Sequence, residues 1–263
     1  MGGELVVFGL EWLAARYGLD PMADVVTARA RRMLDGALRK ARGRSLNYDE
    51  RTVIKSLQEI ASSDSEILSD YLAGVIAGSG KEDHGVSTVA QIGRLSSLHL
   101  RLHYVIYRAL WQVEKPAPTG CDLRSHSEVA SNLELFLSLE DLHLALPIDA
   151  NGEGVRSMLM ALHVLAREDL IGAHTAAGPT DLRPSAIAYD VQEPWRLMQL
   201  RQKHFPFAAL ICRPTPPGIE LFLRGCGSEE HDPTFIRALD AELVQLAIPE
   251  VSGGLIARLP PTV

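Results

Sequence analysis

The sequence predicts a mainly α fold, with an N-terminal helical bundle over residues 1–114, a linker at 115–124 and a small α/β, winged-helix-like domain over 125–263. Three observations carry this expectation. Between Ser63 and Trp111 the apolar residues recur at helical spacing in three successive segments. Lys115-Pro116-Ala117-Pro118-Thr119-Gly120 then places two prolines and a glycine where no helix can continue. Beyond it, the apolar runs Phe207–Cys212 and Ile219–Leu223 flank Pro214-Thr215-Pro216-Pro217-Gly218, which reads as a β-hairpin.

The elements follow in order. Leu5 to Leu19 is a short amphipathic helix with Leu5, Phe8, Trp12 and Ala15 near one face. It either packs on its own domain or rests on a membrane surface. Asp20-Pro21 has the chemistry of an N-cap with proline at the first helical position. The helix it starts carries Arg29, Arg31, Arg32, Arg39, Lys40, Arg42 and Arg44, opposed only by Asp35. Asn47-Tyr48-Asp49-Glu50 has capping-box spacing before Val53, Ile54, Leu57, Ile60 and Ala61. Ser63 and Glu66 repeat that spacing before Leu68, Leu72, Val75 and Ile76, and Gly78 and Gly80 stop the helix. Ser87 or Thr88 caps a short helix with Val89, Ile92 and Leu95, and Leu98, Leu102, Val105, Ile106 and Ala109 form the last stripe of the bundle.

In the second half, Leu133 to Leu146 is leucine-rich and ends at Pro147. Val155, Leu159, Leu162 and Ala166 mark a helix, Leu170-Ile171-Gly172 a short strand, and Ala186 to Val191 a β-prone run. Asp232-Pro233 starts a final helix with Phe235, Ile236, Leu239, Leu243 and Leu246. Helix, helix, strand and hairpin is the order of a winged helix-turn-helix.

Composition narrows the function classes. A net charge of −7 opposes wholesale affinity for nucleic acid, where phosphate neutralisation dominates binding. Cys121, Cys212 and Cys226 are too scattered for a disulfide framework or a thiolate zinc site, which suits a reducing compartment. With no secretory signal and no apolar run of bilayer length, a cytoplasmic protein is expected.

Two stretches carry a resemblance. Asp70-Tyr71-Leu72-Ala73-Gly74-Val75-Ile76-Ala77, after an acidic cap, resembles the Leu-x-x-x-Trp-Ala-x-Leu-Leu-Ala type of segment in abortive infection alpha proteins. Thr215-Pro216-Pro217-Gly218-Ile219-Glu220-Leu221-Phe222 is similar to the Thr-Pro-hydrophobic-Gly-x-x-Phe turn near the end of that family, with one residue inserted between Gly218 and Phe222. The resemblance spans roughly residues 29 to 227. It implies a helical domain with a small winged-helix-like end in a bacterial phage-defence setting, and it brings no catalytic residues.

Candidate chemistry is sparse. His99 and His103 share a helical side at metal-binding spacing, but Leu100, Arg101 and Leu102 between them omit the glutamate of a zinc-protease motif. Asp64, Glu66 and Asp70 suit a helix N-terminus as well as an acid–base pair. Gly78-Ser79-Gly80-Lys81 follows a helix where a phosphate loop needs a strand, and Cys226 has only His231 near it in sequence. No enzyme, cofactor or metal is therefore expected. The sequence favours an interaction protein whose seven cations between Arg29 and Arg44 grip an anionic partner. That partner is expected to be a protein, with self-association or a membrane surface as further candidates. The other reading is a DNA-binding regulator using Arg156 and Arg167 on its recognition helix.

Overall fold

The computed structural model describes residues 23–44, 49–79, 84–115, 123–124, 133–149, 152–177, 186–190, 197–199, 209–244, 246–251 and 253–258. The expected amphipathic helix at Leu5–Leu19, the Asp20-Pro21 cap, Cys121 and most of the 115–124 linker lie outside them. The contacts divide the chain into two compact units. One takes residues up to Arg94 together with Gly225–Glu229; the other takes Leu95–Arg224 together with the residues from Glu230 on. The division thus falls between Arg94 and Leu95 rather than at 115–124.

The first unit contains α1 (Ala23–Ala41), α2 (Glu50–Ala61), α3 (Glu66–Gly78) and α4 (His84–Gly93). Its centre is α3, where Ile67, Leu68, Tyr71, Leu72, Ala73, Val75 and Ile76 are all buried. A helix apolar nearly all round has neighbours nearly all round. Here α1 lies along it through Ala30, Met33, Ala37 and Ala41, and α2 and α4 pack against it and each other. The α1–α3 approach is close, since a Cβ on Gly36 would stand 3.0 Å from that of Ala73. The cap of α2 is Asp49, which accepts from Thr52 N at 2.9 Å; Asn47, the cap that the capping-box spacing to Glu50 implies, lies outside the described residues. The cap of α3 is Ser65, whose hydroxyl accepts from Leu68 N, while Ser63 holds Ser65 N. Helix α4 begins three residues before Ser87, and the hydroxyls of Ser87 and Thr88 donate back to the His84 carbonyl.

The second unit is built on α5 (Ser97–Glu114) and a six-stranded sheet. The strands are β1 (Leu133–Ser138), β2 (Ile171–Ala177), β3 (Ala186–Asp190), β4 (Leu197–Gln199), β5 (Ala209–Pro214) and β6 (Gly253–Arg258). They pair antiparallel throughout in the order β2-β5-β1-β6-β3-β4. After β1 come α6 (Leu139–Ala145) and α7 (Gly152–Arg167), and β5 runs into α8 (Pro216–Cys226). The protein is therefore mainly helical with an antiparallel sheet.

Three expectations change here. Helix α5 does not join the N-terminal bundle: it packs on β1, β5, β6 and α7, with Leu100, Leu102, Val105, Ile106, Tyr107 and Leu110 buried around its circumference. Its leucine stripe specifies burial but not the partner. Ile219–Leu223 is helical, so the expected hairpin is absent. Thr215 caps α8 by accepting from Gly218 N at 3.2 Å, and Pro216 takes the first helical position, where its missing N–H costs nothing. The expected helix from Asp232 is two short 3₁₀ turns, Pro233–Ala238 and Ala241–Leu243. Asp232 and Asp240 each cap their own turn, which competes with one continuous helix. Side chains of α5 pin this strip: Arg108 and Trp111 donate to the carbonyls of Ile248 and Leu239, and the fully buried Glu114 accepts from Arg237 Nε at 3.0 Å.

Candidate functional site

The cationic helix and the would-be recognition helix lie in different units, and the structure treats their charges differently. On α1, Arg29 Nε bonds Asp64 at 3.1 Å and Arg32 approaches the same carboxylate at 3.6 Å. Lys40 is almost enclosed, and its ammonium donates to the Asp70 carboxylate at 2.7 Å, the Asp70 carbonyl at 2.9 Å and the Gly225 carbonyl at 2.6 Å. Arg44 donates to the carbonyls of Ala41, Lys40 and Gly227 and pairs with Glu229 at 2.5 Å. Arg42 closes the helix with a left-handed backbone, φ 51°. Among the seven cations, Arg31 and Arg39 are exposed with no side-chain partner among the described residues. Most of the expected anionic grip is thus internal scaffolding. Asp64 and Asp70 serve as its counter-charges, not as an acid–base pair.

On α7 the buried face is Gly154, Met158, Ala161, Leu162 and Leu165, packed on α5 and β2. The opposite side leaves Val155, Leu159 and Met160 exposed, Met160 by 59%. Beside them an open groove of about 830 Å³ is lined by His99 of α5 and by Glu153, Arg156, Ser157, Met160 and Val164 of α7. Arg156 is exposed and has no hydrogen-bond or ion-pair partner among the described residues. Arg167 is the last residue of α7 and meets Glu168 at 3.6 Å.

His99 is held by local chemistry. Ser96 caps α5 by accepting from His99 N, and His99 Nδ1 accepts from Ser96 N–H at 3.0 Å. That reciprocal bond requires an unprotonated Nδ1. Burial, and then the nearby Arg167 charge, hold the imidazole below its ordinary pKa. Its sequence neighbour in the suspected metal pair faces elsewhere. His103 is fully buried against the Gly218 carbonyl, Nε2 to O at 3.1 Å, and burial takes its pKa down to about 3. The two histidines therefore serve two separate backbone bonds.

A polar cluster surrounds His103. The Tyr107 hydroxyl donates to the Leu170 carbonyl at 2.5 Å and accepts from Thr215 N–H at 3.0 Å, and Thr215 Oγ1 donates to the Asp169 carbonyl at 2.6 Å. A Cβ on Gly218 would collide with the Tyr107 hydroxyl and the Leu170 carbonyl, so this position admits only glycine. Every member has a partner, which makes the cluster a joint between α5, the α7–β2 turn and α8. Burial pushes the thiols of Cys212 and Cys226 up to about 12, so neither is a thiolate near neutral pH. Ser79 ends α3, which settles Gly78-Ser79 as a helix terminus; Gly80 and Lys81 lie outside the described residues.

The groove pairs a neutral imidazole and an unpaired guanidinium with an apolar floor, which is the chemistry of a binding surface. Sequence reasoning named Arg156 as a DNA contact and His99 as half of a metal pair, and it missed Met160. Met160 was legible as an apolar residue on the polar side of α7, and His99 as the third residue after a capping serine. Among the described residues no group of three His, Cys, Asp or Glu side chains is placed to hold a metal ion, and no helix is long and apolar enough to cross a membrane. Comparison of the chain with protein-family models, with curated proteins and with solved structures finds no match.

Proposed function

We propose that this chain is a non-catalytic interaction protein that seats a segment of a partner protein along α7. The observation that carries the proposal is Arg156, exposed and unpaired among the described residues, beside the exposed Met160 in the groove. An amphipathic segment with one carboxylate for Arg156 and an apolar side chain for Met160 and Val164 fits it. Exposed large apolar side chains beside a free arginine are the composition of interface anchors. The resemblance to abortive infection alpha proteins supplies the setting, defence of a bacterial cell against phage.

The regulator reading rests on Arg156 and Arg167. Glu153 in the same groove and Glu168 beside Arg167 oppose phosphate binding there, and a winged-helix wing at Pro214–Leu223 would need strands where α8 stands. The discriminating experiment is phage challenge of cells expressing the wild type, Arg156→Ala/Met160→Glu, or Arg31→Ala/Arg39→Ala, with folding checked by circular dichroism. Loss of protection in the first variant, with duplex DNA affinity weak and equal in all three proteins at physiological salt, is the expected result. Full protection by Arg156→Ala/Met160→Glu sinks the groove. Tight, steeply salt-dependent DNA binding by the wild type that Arg156→Ala/Met160→Glu loses selects the regulator.

A further inference from the structure

Outside the residues that line the groove, His163 of α7 faces His174 of β2. Their ring centres are 5.0 Å apart and the planes cross at 69°. The strand is irregular at this point: the β2–β5 register shifts between Ile171 and His174, a deviation of the kind that re-aims a side chain. His174 Nδ1 lies 3.4 Å from the Gly172 carbonyl. A carbonyl oxygen only accepts, so Nδ1 carries a proton, and in the neutral ring the lone pair is on Nε2. This is the arrangement by which a backbone carbonyl fixes the tautomer of a metal-binding imidazole. His163 is exposed and has no hydrogen-bond partner among the described residues, so its ring is free to turn toward the same point.

We propose that His163 and His174 form a two-imidazole site for a late first-row divalent ion such as Zn²⁺ or Cu²⁺. The spacing fits. With metal–nitrogen bonds of about 2.0–2.1 Å, and each ring centre about 1.1 Å behind its nitrogen, two imidazoles at a near-tetrahedral angle stand about 5 Å apart. Imidazole nitrogen suits this class of ion over magnesium or calcium, which prefer oxygen. Among the described residues no third His, Cys, Asp or Glu completes the set, so water or a ligand from outside fills the remaining positions. Such an ion ties the last turn of α7 to β2.

The test uses the full chain, Zn²⁺ titrated by calorimetry and Cu²⁺ followed by electron paramagnetic resonance. The expected result is one ion per chain, with superhyperfine coupling to two nitrogens. His163→Ala and His174→Ala each weaken Zn²⁺ binding tenfold or more and leave coupling to one nitrogen. His84→Ala, an exposed histidine at the start of α4, binds as the wild type does. His174→Phe keeps an edge-to-face ring contact but no nitrogen. It should melt with the metal-free wild type yet fail to gain stability from Zn²⁺. Equal Zn²⁺ affinity in wild type, His163→Ala and His174→Ala overturns the proposal. So does a wild type whose melting temperature Zn²⁺ leaves unchanged, which would reduce the pair to an aromatic contact.

Discussion

Lys40 on α1 and Arg156 on α7 are both helical cations in basic-looking stretches, yet one is spent inside its unit and the other is spare. Lys40 has three oxygen partners and little exposure; Arg156 has none among the described residues. The difference lies in what the chain brings to each place. Asp70 and the end of α8 converge on Lys40, and the Gly225 carbonyl lies in the last turn of α8, where oxygens lack intrahelical donors. No such segment reaches Arg156. A run of cations in a sequence therefore says how much charge is present and little about how much is available.

The comparison is sharpest in Lys40→Met, which keeps the stem and removes the ammonium. It should cost about 2–4 kcal/mol in urea unfolding, somewhat below the range for a fully buried pair because Asp70 keeps contact with water. A loss under about 0.5 kcal/mol would mean Lys40 is as spare as Arg156. Next in size is a titration. The folded pKa of His103 is depressed from 6.5 to about 3, so its contribution is complete above pH 6.5 and is lost as pH falls toward 3. Between pH 6 and pH 5 it should account for about 1.2 kcal/mol of lost stability, and His103→Gln, which keeps a donor for Gly218, should remove that share of the slope. An unchanged slope would show that the imidazole reaches water. Asp49→Ala should cost about 1 kcal/mol by leaving Thr52 N uncapped. The smallest effect is Arg156→Ala, expected within about 0.5 kcal/mol of wild-type stability while abolishing partner-dependent protection. A larger loss would place Arg156 with Lys40 as scaffolding.

Local chemistry was legible and partnership was not. The buried stripes of α2 and α3 and the end of α3 at Gly78 follow from neighbours within four residues. The placement of α5 does not, because Leu102 and Ile106 bury equally well against a sheet or a bundle. Thr215-Pro216-Pro217-Gly218 reads as a hairpin turn, and the structure makes it the capped start of α8. Gly218 passes so close to Tyr107 and Leu170 that a Cβ there would collide, a contact with residues far away in sequence. The scaffolding role of Lys40 was invisible for the same reason, since Gly225 is 185 positions away. Of the candidate groove, Arg156 could be named from sequence, but its spareness is a statement about residues that do not approach it.

The assignment of Gly225–Glu229 to the first unit has a consequence for synthesis on the ribosome. Helices α1 to α4 emerge early, but the Gly225 and Gly227 carbonyls that receive Lys40 and Arg44, and the Glu229 carboxylate, are translated about 130 residues later. At about 5–20 residues per second that is a wait on the order of 10 s. Through that interval Lys40 and Arg44 have only their early partners, Asp70 and the end of α1, so a chain truncated after Arg94 is not a small version of this unit but an unfinished one.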